Sequence, residues 1–216
     1  MTKKKDAVET ILISPPRMET AVFTVTNEGL SSDYVQSKFS TRDQDLIAKE
    51  QEKGSTPTTK RKKRPPKDFN RIYEDAAHKS SDGWYGIPAC SFRNAMIDAC
   101  RVTGYTMSKA KMSVFVEADG VDSDDGMPLV KIVGRPRRVD SVVRLRNGSM
   151  DIRPRPHWGK WRATVRIRYD SEQFKAEDVG NLLLRAGIQN GIGCGRHNSK
   201  DSYGMGWGCF RVMELD

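Results

Sequence analysis

The sequence predicts an α+β fold of ferredoxin-like (RNA-recognition-motif-like) order, in which two helices cover one face of an antiparallel sheet. Three stretches carry that expectation: METAVFTVT at 18–26 and WRATVRIRY at 161–169, which alternate with a period of two, and GIPACSFRNAMIDACRVTG at 86–104, which has the period of a helix. In the first strand Ala21, Phe23 and Val25 share one face. In the helix Phe92, Met96, Ala99 and Cys100 form one apolar stripe, with Pro88 near the first turn and Gly104 as the stop. Strands are expected next at 112–117, 129–133 and 141–145, the first two separated by the acidic turn ADGVDSDDG. In WRATVRIRY, Ala163, Val165, Ile167 and Tyr169 belong to the core and Arg162, Thr164, Arg166 and Arg168 form the opposite face. A second helix over 175–186 aligns Val179, Leu182, Leu183 and Ala186 and ends at Gly187, and a last strand is expected over 207–213.

A chain of 216 residues fits one domain. We expect a basic leader at 1–17, from Lys3, Lys4 and Lys5 to Pro15 and Pro16, and a single domain over 18–216. Within it, 37–81 is polar and reads as a mobile insertion with a short helix near 42–53 and a basic run over 60–67, either a nucleic-acid-contacting arm or a solubilising linker. No stretch approaches the roughly 18 apolar residues of a membrane span, and the N-terminus has no apolar signal core, so a cytoplasmic location is expected. Cys90, Cys100, Cys194 and Cys209 form no CxxC pair and read as reduced thiols. Cys194, Cys209 and His197 lack regular spacing and a fourth ligand, so no zinc site is expected, and the acidic turn departs from the EF-hand pattern, which leaves a solvated hairpin loop. No cofactor is expected.

Charge points to a polyanionic partner. Lys and Arg number 37 against 28 Asp and Glu, a formal +9 with a pI near 9.4. Such a chain gains affinity for nucleic acid by displacing the counterions condensed on phosphates. Between Arg135 and Arg168 eleven Lys and Arg face only Asp140 and Asp151, with Trp158 and Trp161 interleaved. Arg135, Arg137, Arg138, Arg144, Arg146, Arg162, Arg166 and Arg168 are the candidate phosphate contacts, and the two tryptophans are candidate stacking platforms or core aromatics.

The densest signal is GIQNGIGCGRHNSKDSYGMGWG at 187–208, between the second helix and the last strand. Glycine permits positive φ and close approach of main-chain amides to an anion, so Gly191, Gly193 and Gly195 are candidate ligand contacts, with charge added by Arg196 and Lys200. A dinucleotide fingerprint is excluded because it follows a strand and opens a helix, and a P-loop is excluded for want of a GK[ST] ending.

The helix start IPACSFRNAMIDACR and the glycine-rich segment together resemble two motifs of the repeat-associated mysterious proteins, the RNA-binding subunits of CRISPR systems. The resemblance spans about 18–36 and 84–213. It implies a ferredoxin-like core and single-stranded RNA binding, often as a subunit repeating along the strand as a homo-oligomer or filament. The family's helix Ser and basic residue map onto Ser91 and Arg93. The smaller size and the basic insertion before the helix depart from the family's backbone subunits and imply a stand-alone relative, such as one encoded by a bacterial virus, for which single-stranded DNA is an equal partner.

Catalysis is not expected. Of His78, His157 and His197, only His78, near Tyr73 and Tyr85, is placed to resemble the general base of the superfamily's metal-independent endoribonucleases. The leading expectation is sequence-independent binding of single-stranded nucleic acid. Such an endoribonuclease and a scaffold protein of a nucleoprotein assembly are the alternatives.

Overall fold

The computed structural model describes residues 14–52, 66–144, 148–199 and 205–213. The protein is α+β, with mostly antiparallel sheets. In chain order the elements are β1 (Met18–Thr26), β2 (Tyr34–Val35), α1 (Thr41–Glu52), α2 (Phe69–Asp75), β3 (Gly86–Pro88), α3 (Ala89–Thr103), α4 (Met107–Ser113), β4 (Val114–Glu117), β5 (Gly120–Val121), β6 (Pro128–Val133), β7 (Arg137–Arg144), β8 (Met150–Trp158), β9 (Arg162–Asp170), α5 (Ala176–Arg185), a π-helical turn (Ala186–Asn190) and β10 (Arg211–Val212).

The larger sheet is built on β1 and β9, which pair antiparallel over their whole lengths from Met18↔Asp170 to Thr26↔Arg162. β10 pairs with the far edge of β1. On its other edge β9 takes β4 along Arg166–Tyr169 and β6 at Arg162 and Ala163, and β6 carries β3 and β5. Alternation sorts the side chains as the period of two requires: Ala163, Val165, Ile167 and Tyr169 are buried, whereas Arg162, Thr164 and Arg168 are exposed.

α3 and α5 bury their apolar stripes in that core. α3 contributes Phe92, Ala95, Met96, Ala99 and Cys100, and is stopped by Gly104 in the left-handed conformation at φ +73°. α5 contributes Val179, Leu182 and Leu183, and Asp178 caps its start by accepting from the Lys175 amide at 3.1 Å. Gly180 sits where a Cβ would lie 2.9 Å from the Phe23 ring, which fixes how closely α5 lies on β1.

β2, β8 and β7 form a second, three-stranded sheet, against whose β8 α2 packs. The expected strand at 141–145 is the end of β7, which begins earlier, at Arg137. β8 escapes a reading of strand signals because Pro154 and Pro156 lie inside it. The Pro156 carbonyl accepts from the Gln36 amide on the β2 side. In an antiparallel strand a residue's nitrogen and carbonyl point the same way, so both proline nitrogens face away from β7 and no β7–β8 bond is lost.

Three further expectations are corrected. Met112 and Ser113 end helix α4, and the strand starts only at Val114. The last strand shrinks to Arg211–Val212 because Gly206 and Gly208 take φ of +74° and +75°, outside the extended region. The stretch 37–81 contains structured, packed parts: Ser40, Ala76, Ala77 and Ser80 are buried, as is the side chain of Lys38. The leader's residues 1–13 and residues 60–65 of the basic run lie outside the described residues, and Lys67 pairs with Asp151.

Candidate functional site

A groove of about 780 Å³ runs beside α3. One wall is the outer face of α3, where Ser91, Asn94 and Asp98 recur at i, i+3 and i+7. The glycine-rich segment from Asn190 to Ser199 forms the second wall, the chain leaving β2 from Tyr34 to Lys38 the third, and Arg153 and Arg155 of β8 the fourth. Four segments far apart in sequence therefore meet at one concavity.

The glycine density has a packing cause. Gly191, Gly193 and Gly195 take φ of +69°, +75° and +73°, and a Cβ on Gly193 would lie 2.6 Å from the Val35 carbonyl oxygen, while one on Gly191 would lie 2.9 Å from that of Trp207. The segment threads between β2 and the strip 206–209. Cys194 donates to the Val35 carbonyl at 2.9 Å, Ile192 to that of Gly208 at 2.9 Å, and Gly191 to that of Ala186 at 2.9 Å. Those three amides are spent inside the protein, which narrows the expected amide cradle for an anion. Asn190 pins the segment to α3 by donating to the Ala95 carbonyl at 2.8 Å, and Asn198 donates to Asp98 across the groove at 2.9 Å.

Besides Lys38, whose ammonium is paired with Asp122, three arginines bring positive charge to the groove. Arg196 is held on the glycine-rich segment by donating to the Gly193 carbonyl at 3.1 Å, and Arg153 lies 3.5 Å from Asp151. The Nε of Arg155 is buried and has no hydrogen-bond partner among the described residues. All three act on Cys194: burial pushes its thiol up, and Arg155, Arg196 and Arg153 pull the other way. In the sequence Arg153 and Arg155 belong to the eleven basic residues between Arg135 and Arg168 but are not singled out as phosphate contacts. Their signal is the alternation Arg153, Arg155, His157 against Ile152, Pro154, Pro156, which the prolines disguise.

His78 also lines the groove. Its Nδ1 lies 2.7 Å from Asp122, and its amide donates to the Gln36 side chain at 3.0 Å. Asp122 is buried at the head of the acidic turn, and Lys38 reaches it at 2.7 Å, Asp124 at 3.0 Å and Asp125 at 3.8 Å. The turn is thus more than a solvated loop. His78, Asp122 and Asp125 are close enough together to ligate a metal, but the Lys38 ammonium is the cation among these carboxylates.

The other candidate residues divide. Ser91, Gly191, Gly193, Gly195 and Arg196 line the groove. Trp158 and Trp161 are 0% and 3% exposed, packed on Tyr34 with ring centroids 5.6 Å apart, so they are core aromatics and not stacking platforms. Arg93 staples α3 to the α4–β4 junction, donating to the Lys111 and Val114 carbonyls, and does not line the groove. Arg137 pairs with Asp33 at 2.8 Å, Arg138 with Asp140 at 2.7 Å, and Arg135 is exposed between β6 and β7. Arg162, Arg166 and Arg168 project from the face of the sheet turned away from α3, and Arg166 is tied to Asp119 at 2.6 Å. The structure does not bring them together with the glycines. Arg146 and Lys200 lie outside the described residues, as does the side chain of Arg144. No helix among the described residues is long and apolar enough to cross a membrane.

No protein-family model matches the chain, and no curated protein matches it.

Proposed function

We propose that the chain binds single-stranded nucleic acid, RNA or DNA, without sequence preference, in the groove beside α3. The observation that carries this is the convergence there of Arg153, Arg155 and Arg196 with the start of α3 and the glycine-rich segment. Backbone phosphates are the ligand such guanidinium groups suit, and phosphate contacts carry no sequence information. The resemblance to repeat-associated mysterious proteins draws support from the same place, since its two motifs meet at Ser91 and Gly191–Gly195. The antiparallel order β10, β1, β9, β4, with α3 leading to β4 and α5 leading to β10, supports a ferredoxin-like core. In this reading copies repeat along one strand, no chemistry is performed, and four free thiols suit a reducing, cytoplasmic setting.

The test is binding of a fluorescent oligouridylate and of oligodeoxythymidylate as salt is raised. Affinity is expected to fall linearly on log–log axes with a slope of about −2 or steeper, at roughly −0.7 per phosphate neutralised. Arg153→Glu with Arg155→Glu should flatten the slope and weaken both ligands alike. Salt-insensitive binding, or an unchanged slope in that variant, overturns the reading.

A second reading rests on the His78–Asp122 pair. A carboxylate at Nδ1 selects the tautomer whose Nε2 accepts a proton, the arrangement a general base needs for attack by a ribose 2′-hydroxyl. Incubation with a structured RNA in EDTA decides it: cleavage by the parent protein that His78→Ala abolishes supports the enzyme, and intact RNA with both rules it out.

A further inference from the structure

The face of the larger sheet turned away from α3 and α5 carries charge that the groove does not use. β1 presents Thr20, Val22 and Thr24 there, and β9 presents Arg162, Thr164 and Arg168. The register sets Thr20 opposite Arg168, Val22 opposite Arg166 and Thr24 opposite Thr164, so threonine hydroxyls lie on either side of the central Val22–Arg166 rung. Arg166, between them on the same strand, is neutralised by Asp119 at 2.6 Å. Arg162 and Arg168 are exposed and have no carboxylate partner among the described residues, although Arg168 also lies over the Phe115 ring at 5.6 Å. Six residues of strand separate them by about 20 Å, a span of several phosphates along an extended polynucleotide.

We propose that this open face is a second polyanion site, occupied by another strand of nucleic acid, so that one copy of the chain bridges two strands. Charge complementarity names the occupant. Two unneutralised guanidinium groups beside threonine hydroxyls are donors for phosphate oxygens, and the exposed large apolar side chains of this face, Met18, Val22 and Val133, stand apart from one another, each beside a charged residue: Asp170, Arg166 and Arg162. A protein partner would want the reverse, an apolar centre depleted of charge. The two sites are independent, because the residues lining the groove include none from β1 or β9. The identity of the occupant rests on the nucleic-acid reading of the groove, but the existence of a second site does not.

The experiment loads the full chain onto an immobilised oligouridylate at low salt, washes it, and offers a fluorescent oligouridylate. Three proteins are compared: the parent, Arg162→Glu/Arg168→Glu, and Arg153→Glu/Arg155→Glu, with circular dichroism confirming that each is folded. The parent is expected to capture the second strand, and each double variant to stay on the first strand while capturing at least about tenfold less of the second, since each keeps one site. If Arg162→Glu/Arg168→Glu still captures it, bridging arises from association of copies through the groove and the proposal falls. It falls equally if the parent holds the first strand and captures nothing, an outcome that leaves the groove reading intact. A parent that holds neither strand overturns both.

Discussion

Lys38 shows how much one side chain decides. Its side chain is 4% exposed, and the ammonium touches Asp122, whose side chain is 1% exposed, together with Asp124 and Asp125. Burial pushes the Asp122 carboxyl up, but Lys38, the Asp124 amide and His78 outweigh it and hold the group below the ordinary carboxylate range. Its share of stability is therefore complete above the unfolded value of about 3.9 and is lost as pH falls through the lower folded value. Lys38 runs the other way. Burial lowers it, the carboxylates more than compensate, and its share is complete below about 10.4 and lost as pH rises through the raised folded value. The urea midpoint should accordingly stay level near neutrality and fall at both extremes. Lys38→Met strands a buried carboxylate, so unfolding at pH 7 should cost about 3–5 kcal/mol less and the acid limb should lose amplitude. A midpoint in Lys38→Met equal to the parent's would mean the cluster carries no such energy. Trp158, fully buried between the two sheets, makes a matching case: Trp158→Ala should lower stability by about 3–5 kcal/mol while the folded fraction binds nucleic acid as before.

Among the elements, the glycine-rich segment yields the sharpest contrast. Gly193→Ala adds a Cβ against the Val35 carbonyl and the Tyr34 ring at φ +75°, whereas Gly104→Ala meets nothing within 4 Å at φ +73°. Both incur the left-handed penalty of roughly 1–2 kcal/mol, and only Gly193→Ala must also displace the groove wall. Thermal unfolding should rank Gly193→Ala well below Gly104→Ala, with oligonucleotide affinity weakened only in the former. Equal stability in the two would show that the segment yields freely. The same elements show what a sequence discloses. β9, α3 and α5 are legible because each holds its period and buries an apolar face, and β1 because its apolar residues alternate, although its burial rises along the strand until both Val25 and Thr26 are buried. β8 is not, since its prolines are harmless only on the side away from β7, a fact of pairing and not of composition. Ser91 and the glycines could be flagged as motifs. That Arg153 and Arg155 stand across from them, and that Arg162 and Arg168 stand elsewhere, depends on which sheet each strand joins.

At the scale of the whole molecule, the groove exists only while both sheets are docked. Its walls come from β8 and the β2 exit in the smaller sheet, from α3 on the larger, and from the segment that follows α5. A strand lying across them binds the folded state alone, so occupancy must raise global stability and cannot merely tighten a loop. At a free oligonucleotide concentration a hundred times Kd, that gain is about 2.7 kcal/mol, which for a chain of this size corresponds to a melting shift of about 5–11 °C. The shift should shrink steadily with added salt, because counterion release drives it. Hydrogen exchange under the same conditions should slow together at 34–38, 153–155 and 190–199, segments that share nothing in sequence except their place around the groove. Slowing at only one of them, or a melting shift indifferent to salt, would place the ligand somewhere other than this concavity.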